Sequence, residues 1–211
     1  MDNVEKKLEQ DIDILVAMSA EMDSYLRHEV MFWPMTQSHM PRLTLGGFFL
    51  RAHRLTALSA LLTPEDQTRV ALALAQFNEL AKDNIVALEQ RMYEEIEVRL
   101  RQWQTSLREW QGQAPTITLY ATGVEVRAMI TAMLAKLDSP PFQQNPQLVE
   151  RVNSLDQALH RRWRPGNLSG LPPGNLLIPK RNIAGCTDCQ TRAERTLPLL
   201  PLAQNPDHPP G

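Results

Sequence analysis

TPEDQTRVALALAQFNELAKDNIVALEQRMYEEIEVRLRQWQTSLREW, residues 63–110, decides the fold class. It opens on Thr63-Pro64-Glu65-Asp66. A threonine accepts from orphan amides at a helix start, proline suits the first helical position, and two acids face the positive end of the dipole. Behind this start, Val70, Leu74, Phe77, Ala81, Ile85, Leu88, Met92, Ile96, Leu100, Trp103, Leu107 and Trp110 recur every 3.6 residues or so, the helical period. Neither glycine nor proline intervenes before Gly112. The pattern predicts one helix over 63–111, about 70 Å long at ~1.5 Å per residue. That is longer than a compact domain of this size is wide, so part of it is expected to pack on something else: the N-terminal helix, a second copy or a partner.

Working outward, the same period predicts helices on both sides. Asp2-x-x-Glu5 reads as a capping box, and Val4, Leu8, Ile12, Leu15, Met22, Leu26, Val30 and Trp33 form one stripe, with Ser19 in one slot. A helix over 2–32 is expected, stopped by Pro34. WPMTQSHMP (33–41) reads as a loop, and 44–62 as a buried helix weakened at its start by Gly46-Gly47. After Gly112 and Pro115, ITLYAT alternates like a strand, but no second strand exists to pair with it. A helix over 116–137 is preferred. Ser139-Pro140-Pro141 breaks the chain, and Asn145-Pro146 starts a last helix over 146–163. The fold class expected is all-α: an elongated bundle of about five helices, two of them long, over 1–164. A proline-rich, largely irregular arm over 165–211 follows, and its last 14 residues hold five prolines.

Composition bounds the function without naming it. The chain has 211 residues, 43% hydrophobic and 22% charged, enough to bury a core without disulfides or metal. The net charge of −2 is near neutral. A modest basic excess gathers in 160–195, a weak pointer to a polyanion. The polar start MDNVEKKLEQ does not read as a signal peptide, and no apolar run approaches the ~18–20 residues a membrane span needs. Two cysteines are too few for a disulfide framework, so a reducing, cytoplasmic setting and no membrane are expected.

Four groups of residues are candidates for chemistry. Cys186 and Cys189, in GCTDCQ (185–190), supply two of the four ligands that zinc takes. His160 and His208 have no partners at ligand spacing, so a complete zinc site would need a second chain or another protein. A disulfide, or no chemistry at all, are the other readings of the pair, and the helical body is expected to fold with both as serine. Gln37, His39 and His53 mark a small-molecule or enzymatic candidate at the 33–54 loop and helix. Gly46-Gly47, with Arg42 and Arg51 near, is a helix start that could hold an anion, though close helix packing is preferred because no nucleotide motif is present. Arg161, Arg162, Trp163 and Arg164 are candidates for phosphate contact and base stacking. Glu95 and Arg99, at i and i+4, read as an ion pair on a solvated helix face.

No Ser/His/Asp or Cys/His nucleophile system assembles from the sequence, and the Glu-x-x-His pairs of a di-iron bundle are missing. The function expected is therefore a non-catalytic scaffold or adaptor, working through protein contacts of the long helix and the arm, with a homodimer as the first partner. Nucleic-acid binding through 160–195 is the alternative.

Overall fold

The computed structural model describes residues 2–110 and 115–162. These form six α helices and no strand: α1 (Asp2–Arg27), α2 (Leu45–Ala57), α3 (Pro64–Asp83), α4 (Ile85–Glu109), α5 (Ile117–Leu137) and α6 (Pro146–Arg162). The all-α expectation holds, with α1 and α4 the two longest helices. α1 packs mainly on α3 and α2, and α5 mainly on α4 and α2. One continuous core runs through the bundle, from Ile12, Leu15, Met18 and Met22 of α1 to Met92, Ile96 and Trp103 of α4.

The 63–111 helix is corrected to two. Thr63 caps as expected, its hydroxyl accepting from the Asp66 amide at 3.1 Å. At Asn84 the backbone leaves the helical region (φ −126°, ψ 29°). The cause is local. The Asn84 side-chain amide donates to the Leu80 carbonyl at 2.9 Å, the acceptor that its own N–H would use in an unbroken helix. That N–H turns instead to Ala81, one residue nearer. The two halves then go separate ways, α3 to α1 and α4 to α5. No 70 Å rod exists, and its length no longer argues for a partner.

α1 also ends early, at Arg27 rather than 32. Arg91 of α4 explains this, donating to the carbonyls of His28 and of Glu29, the latter at 3.1 Å. A cation at a helix C-terminus satisfies orphan acceptors and suits the dipole. The loop beyond is tied down: Trp33 and Leu43 exchange backbone hydrogen bonds at 3.1 and 2.9 Å. Glu21 accepts from the Trp33 indole at 3.0 Å and from the Thr36 amide at 2.9 Å. Ser19 fills its slot in the α1 stripe by donating to the Ala73 carbonyl of α3 at 2.8 Å.

Candidate functional site

The most concentrated polar chemistry lies under the start of α2. Thr44 is its N-cap, accepting from the Gly47 amide at 3.0 Å. The next free amide, Gly46 N–H, donates to Glu95 Oε2 of α4 at 3.2 Å. Glu95 is 0% exposed. Its Oε1 accepts from Arg99 Nε and Nη2, both at 3.2 Å. Arg99 also reaches the Thr44 hydroxyl at 3.4 Å and lies over the Phe32 ring, 5.3 Å from its centroid.

The anion that the helix start at Gly46-Gly47 could hold is supplied by the protein's own carboxylate. A buried carboxylate is tolerable only when paired and hydrogen-bonded, and both conditions are met here. The reading of Glu95 and Arg99 as a solvated pair is corrected: they are a buried clamp between α4 and α2. The close packing expected at the glycines is present. A Cβ on Gly46 would lie 2.8 Å from Glu95 Oε1 and 3.0 Å from Met129 Cβ.

Tyr25 borders the same region. It is fully buried, with the Leu45 backbone amide beside its hydroxyl. Burial pushes its phenol well above the ordinary range, and the charge of Glu95 adds to this. Arg91, whose guanidinium stacks over the ring at 5.3 Å, opposes it. At Glu21 burial also raises the carboxyl pKa, but the hydrogen bonds from Thr36 and Trp33 outweigh it and leave the group below its usual value.

Two further clamps use the same design. Asp11 of α1 pairs with Arg54 at 2.6 Å and Arg51 at 3.4 Å, both on α2. Asp156 of α6 accepts from Arg127 of α5 at 2.5–3.0 Å and from the Trp103 indole of α4 at 3.3 Å. Each carboxylate ties two or three helices together. Those of Glu95 and Asp156 also have both oxygens occupied by donors.

The candidates named from sequence lie elsewhere. Gln37, His39 and His53 are exposed, and among the described residues no hydrogen bond joins them. Arg161 and Arg162 end the α6 backbone, and Trp163 and Arg164 lie outside the described residues, as do Cys186, Cys189 and the whole 165–211 arm. Among the described residues no group of three or more His, Cys, Asp or Glu side chains could hold a metal ion.

Glu95 was missed because two neighbours compete for one slot. Residues 88, 92, 95, 99 and 103 follow the helical step as well as 88, 92, 96, 100 and 103 do. The apolar Ile96 hides the charged stripe beside it. By fold this is an all-α bundle whose carboxylates serve as inter-helix ties. Compared with protein-family models, curated proteins and solved structures, the chain matches none.

Proposed function

We propose that this chain is a non-catalytic helical scaffold that works through protein contacts, with the outward face of α5 as a contact surface. One observation carries the reading. α5 is apolar on nearly every side, with only Glu125, Arg127 and Lys136 charged in its 21 residues, yet only 33% of its apolar window is buried. Beside the exposed polar positions Thr118, Thr122 and Glu125, exposed apolar residues remain for a partner to cover. Ile117 and Ala121, exposed, and Val124 and Ala128, half-buried, at i, i+4, i+7 and i+11, make the outward stripe, and Ile117 is 60% exposed. The buried carboxylates give further support, because holding helices together already occupies them.

By length and hydropathy (mean 1.2) α5 also passes the test for a membrane span. Its ion pair to α6 and its packing on Gly46 and Trp110 favour a bundle helix, so the partner proposed is protein, a second copy first. Covering the rest of Ile117 contributes about 1–2 kcal/mol, well below the 4 kcal/mol or more that association costs. The contact therefore needs the whole stripe and is concentration-dependent.

Light scattering across a concentration series tests this. The wild-type mass is expected to rise from one chain, 24.0 kDa, towards two. A variant carrying Ile117→Lys and Ala121→Glu is expected to stay at one. A wild-type mass of one chain throughout rejects the self-contact. Flotation with zwitterionic lipid vesicles would assign the face to lipid instead.

A further inference from the structure

The outward stripe of α5 carries a pattern of sizes. Ile117 and Val124 are large, Ala121 and Ala128 small, and the two kinds alternate. Ile117 stands clear of the surface, whereas Ala128 is half-buried. The steps of four, three and four are those at which side chains of two packed helices interdigitate. From Ile117 to Ala128 the stripe runs about 16 Å, at ~1.5 Å per residue. The other sides of α5 are already engaged: Gly123 lies against Trp110, and Arg127 is bonded to Asp156.

A two-fold contact between copies allows α5 to pack on itself in two ways. In a parallel pair symmetry forces the register, and each residue meets its own copy. Isoleucine then abuts isoleucine and valine abuts valine, while alanine faces alanine across gaps that close packing does not tolerate. In an antiparallel pair the register that uses the whole stripe sets Ile117 opposite the partner's Ala128, and Val124 opposite the partner's Ala121. Every large side chain then meets a small one. The flanks point the same way. Thr118 and Glu125, both exposed, share one flank, which the antiparallel pair brings against its own copy. Thr118 comes within about 3 Å of the level of the partner's Glu125, a hydroxyl donor beside a carboxylate acceptor. The two Glu125 carboxylates stay about 8 Å apart along the axis, where water and salt screen them. A parallel pair turns Glu125 instead towards Arg127, which is already bonded to Asp156 and Thr131.

We propose that two copies of the chain pair through α5 in antiparallel register, Ile117 of each facing Ala128 of the other. The inference rests on the protein-contact reading above and gives that contact its partner and orientation. It also makes the contact self-limiting, because a two-fold pair uses both stripes and leaves neither free to add a third chain.

The test uses the full chain with Cys186→Ser and Cys189→Ser, carrying one new thiol at Ile117→Cys, at Ala128→Cys or, as a reference off the stripe, at Val86→Cys; Val86 is 77% exposed. Each variant is oxidised in a glutathione buffer at a concentration where light scattering gives two chains. Intact mass then separates mixed from self-linked disulfides. The Ile117→Cys protein alone is expected to self-link no faster than Val86→Cys, because its two thiols stand about 16 Å apart along the axis, beyond the ~7 Å that a disulfide bridges. Mixed with the Ala128→Cys protein, it is expected to give the mixed disulfide about tenfold or more over either self-link, against about twofold for random collision. Faster self-linking at 117 than at 86, or a mixed product no commoner than chance, overturns the antiparallel register and leaves the self-contact standing. A one-chain mass at every concentration removes both. If Ala128→Cys loses its far-UV helical signal, the self-linking rate at 117 decides alone.

Discussion

Replacing Gly46 with alanine sets two opposed effects against each other. Helix propensity favours alanine by about 0.5–1 kcal/mol. Packing opposes it. The new Cβ would lie 2.8 Å from Glu95 Oε1, 3.0 Å from Met129 Cβ and 3.1 Å from Met133 Cε. The methionine end can swing away, but Met129 Cβ is fixed to its backbone. Glu95 can retreat only by loosening its bonds to the Gly46 amide and to Arg99. Overpacking a core costs about 1–3 kcal/mol, and a hydrogen bond to a charged group is worth about 1.5–3 kcal/mol. Packing wins, and Gly46→Ala is expected to lose about 2–4 kcal/mol of stability. In a Glu95→Ala background the oxygen and its bond are already gone. There the same change should cost about 1 kcal/mol, a coupling of roughly 1–3 kcal/mol. Urea unfolding followed by far-UV circular dichroism measures all four proteins. A Gly46→Ala protein as stable as its parent, or an equal cost in both backgrounds, refutes the clamp.

Other changes probe the remaining contacts. Tyr25→Phe removes a buried hydroxyl whose one neighbour of its kind is the Leu45 backbone amide, so it should cost no more than about 1 kcal/mol, as urea unfolding will show. The raised phenol pKa gives a pH dependence of definite sign. Below pH ~10, the ordinary tyrosine value, neither folded nor unfolded Tyr25 ionises. Above it the unfolded chain ionises first, so stability falls as pH rises. That alkaline fall should be smaller in Tyr25→Phe, and an unchanged pH profile of the urea midpoint would contradict the assignment. Asp156→Asn leaves Arg127 without its counter-charge in a partly buried site and should cost about 2 kcal/mol, or roughly 4–8 °C in a thermal melt. Cys186→Ser with Cys189→Ser should leave the far-UV helical signal intact, because the six described helices contain neither cysteine.

The helices were legible wherever start signals and period agreed. Thr63-Pro64 and Asn145-Pro146 mark real starts, and Asn145 Oδ1 accepts from the Gln147 amide at 3.0 Å. The break at Asn84 was not legible from period, because Ala81, Ile85 and Leu88 continue the stripe without a slip. Only the habit of asparagine side chains to take backbone carbonyls hinted at it. The anion site at Gly46-Gly47 was half legible. The glycines and the free amides were visible, but their ligand lies 49 residues away in sequence, and only the fold brings it there. Gln37, His39 and His53 were chosen for residue type in a loop. The same loop is held by Glu21, Arg91 and Arg99, charged residues on helices that looked like ordinary solvated faces.

α4 is tied to α1, α2, α5 and α6. Arg91 reaches the carbonyls after α1, Glu95 the first turn of α2, Glu97 and Trp103 the side of α6, and Ser106 and Trp110 the glycine of α5. These partners are distinguished only by angle around one axis. Each residue turns that axis by about 100°, so inserting or deleting a single residue between 91 and 103 redirects every side chain beyond it to the wrong neighbour. Substitutions there remove one tie at a time, whereas a change in length removes them together. Insertions should therefore be tolerated in the exposed loop at 37–39 and rejected throughout this stretch of α4.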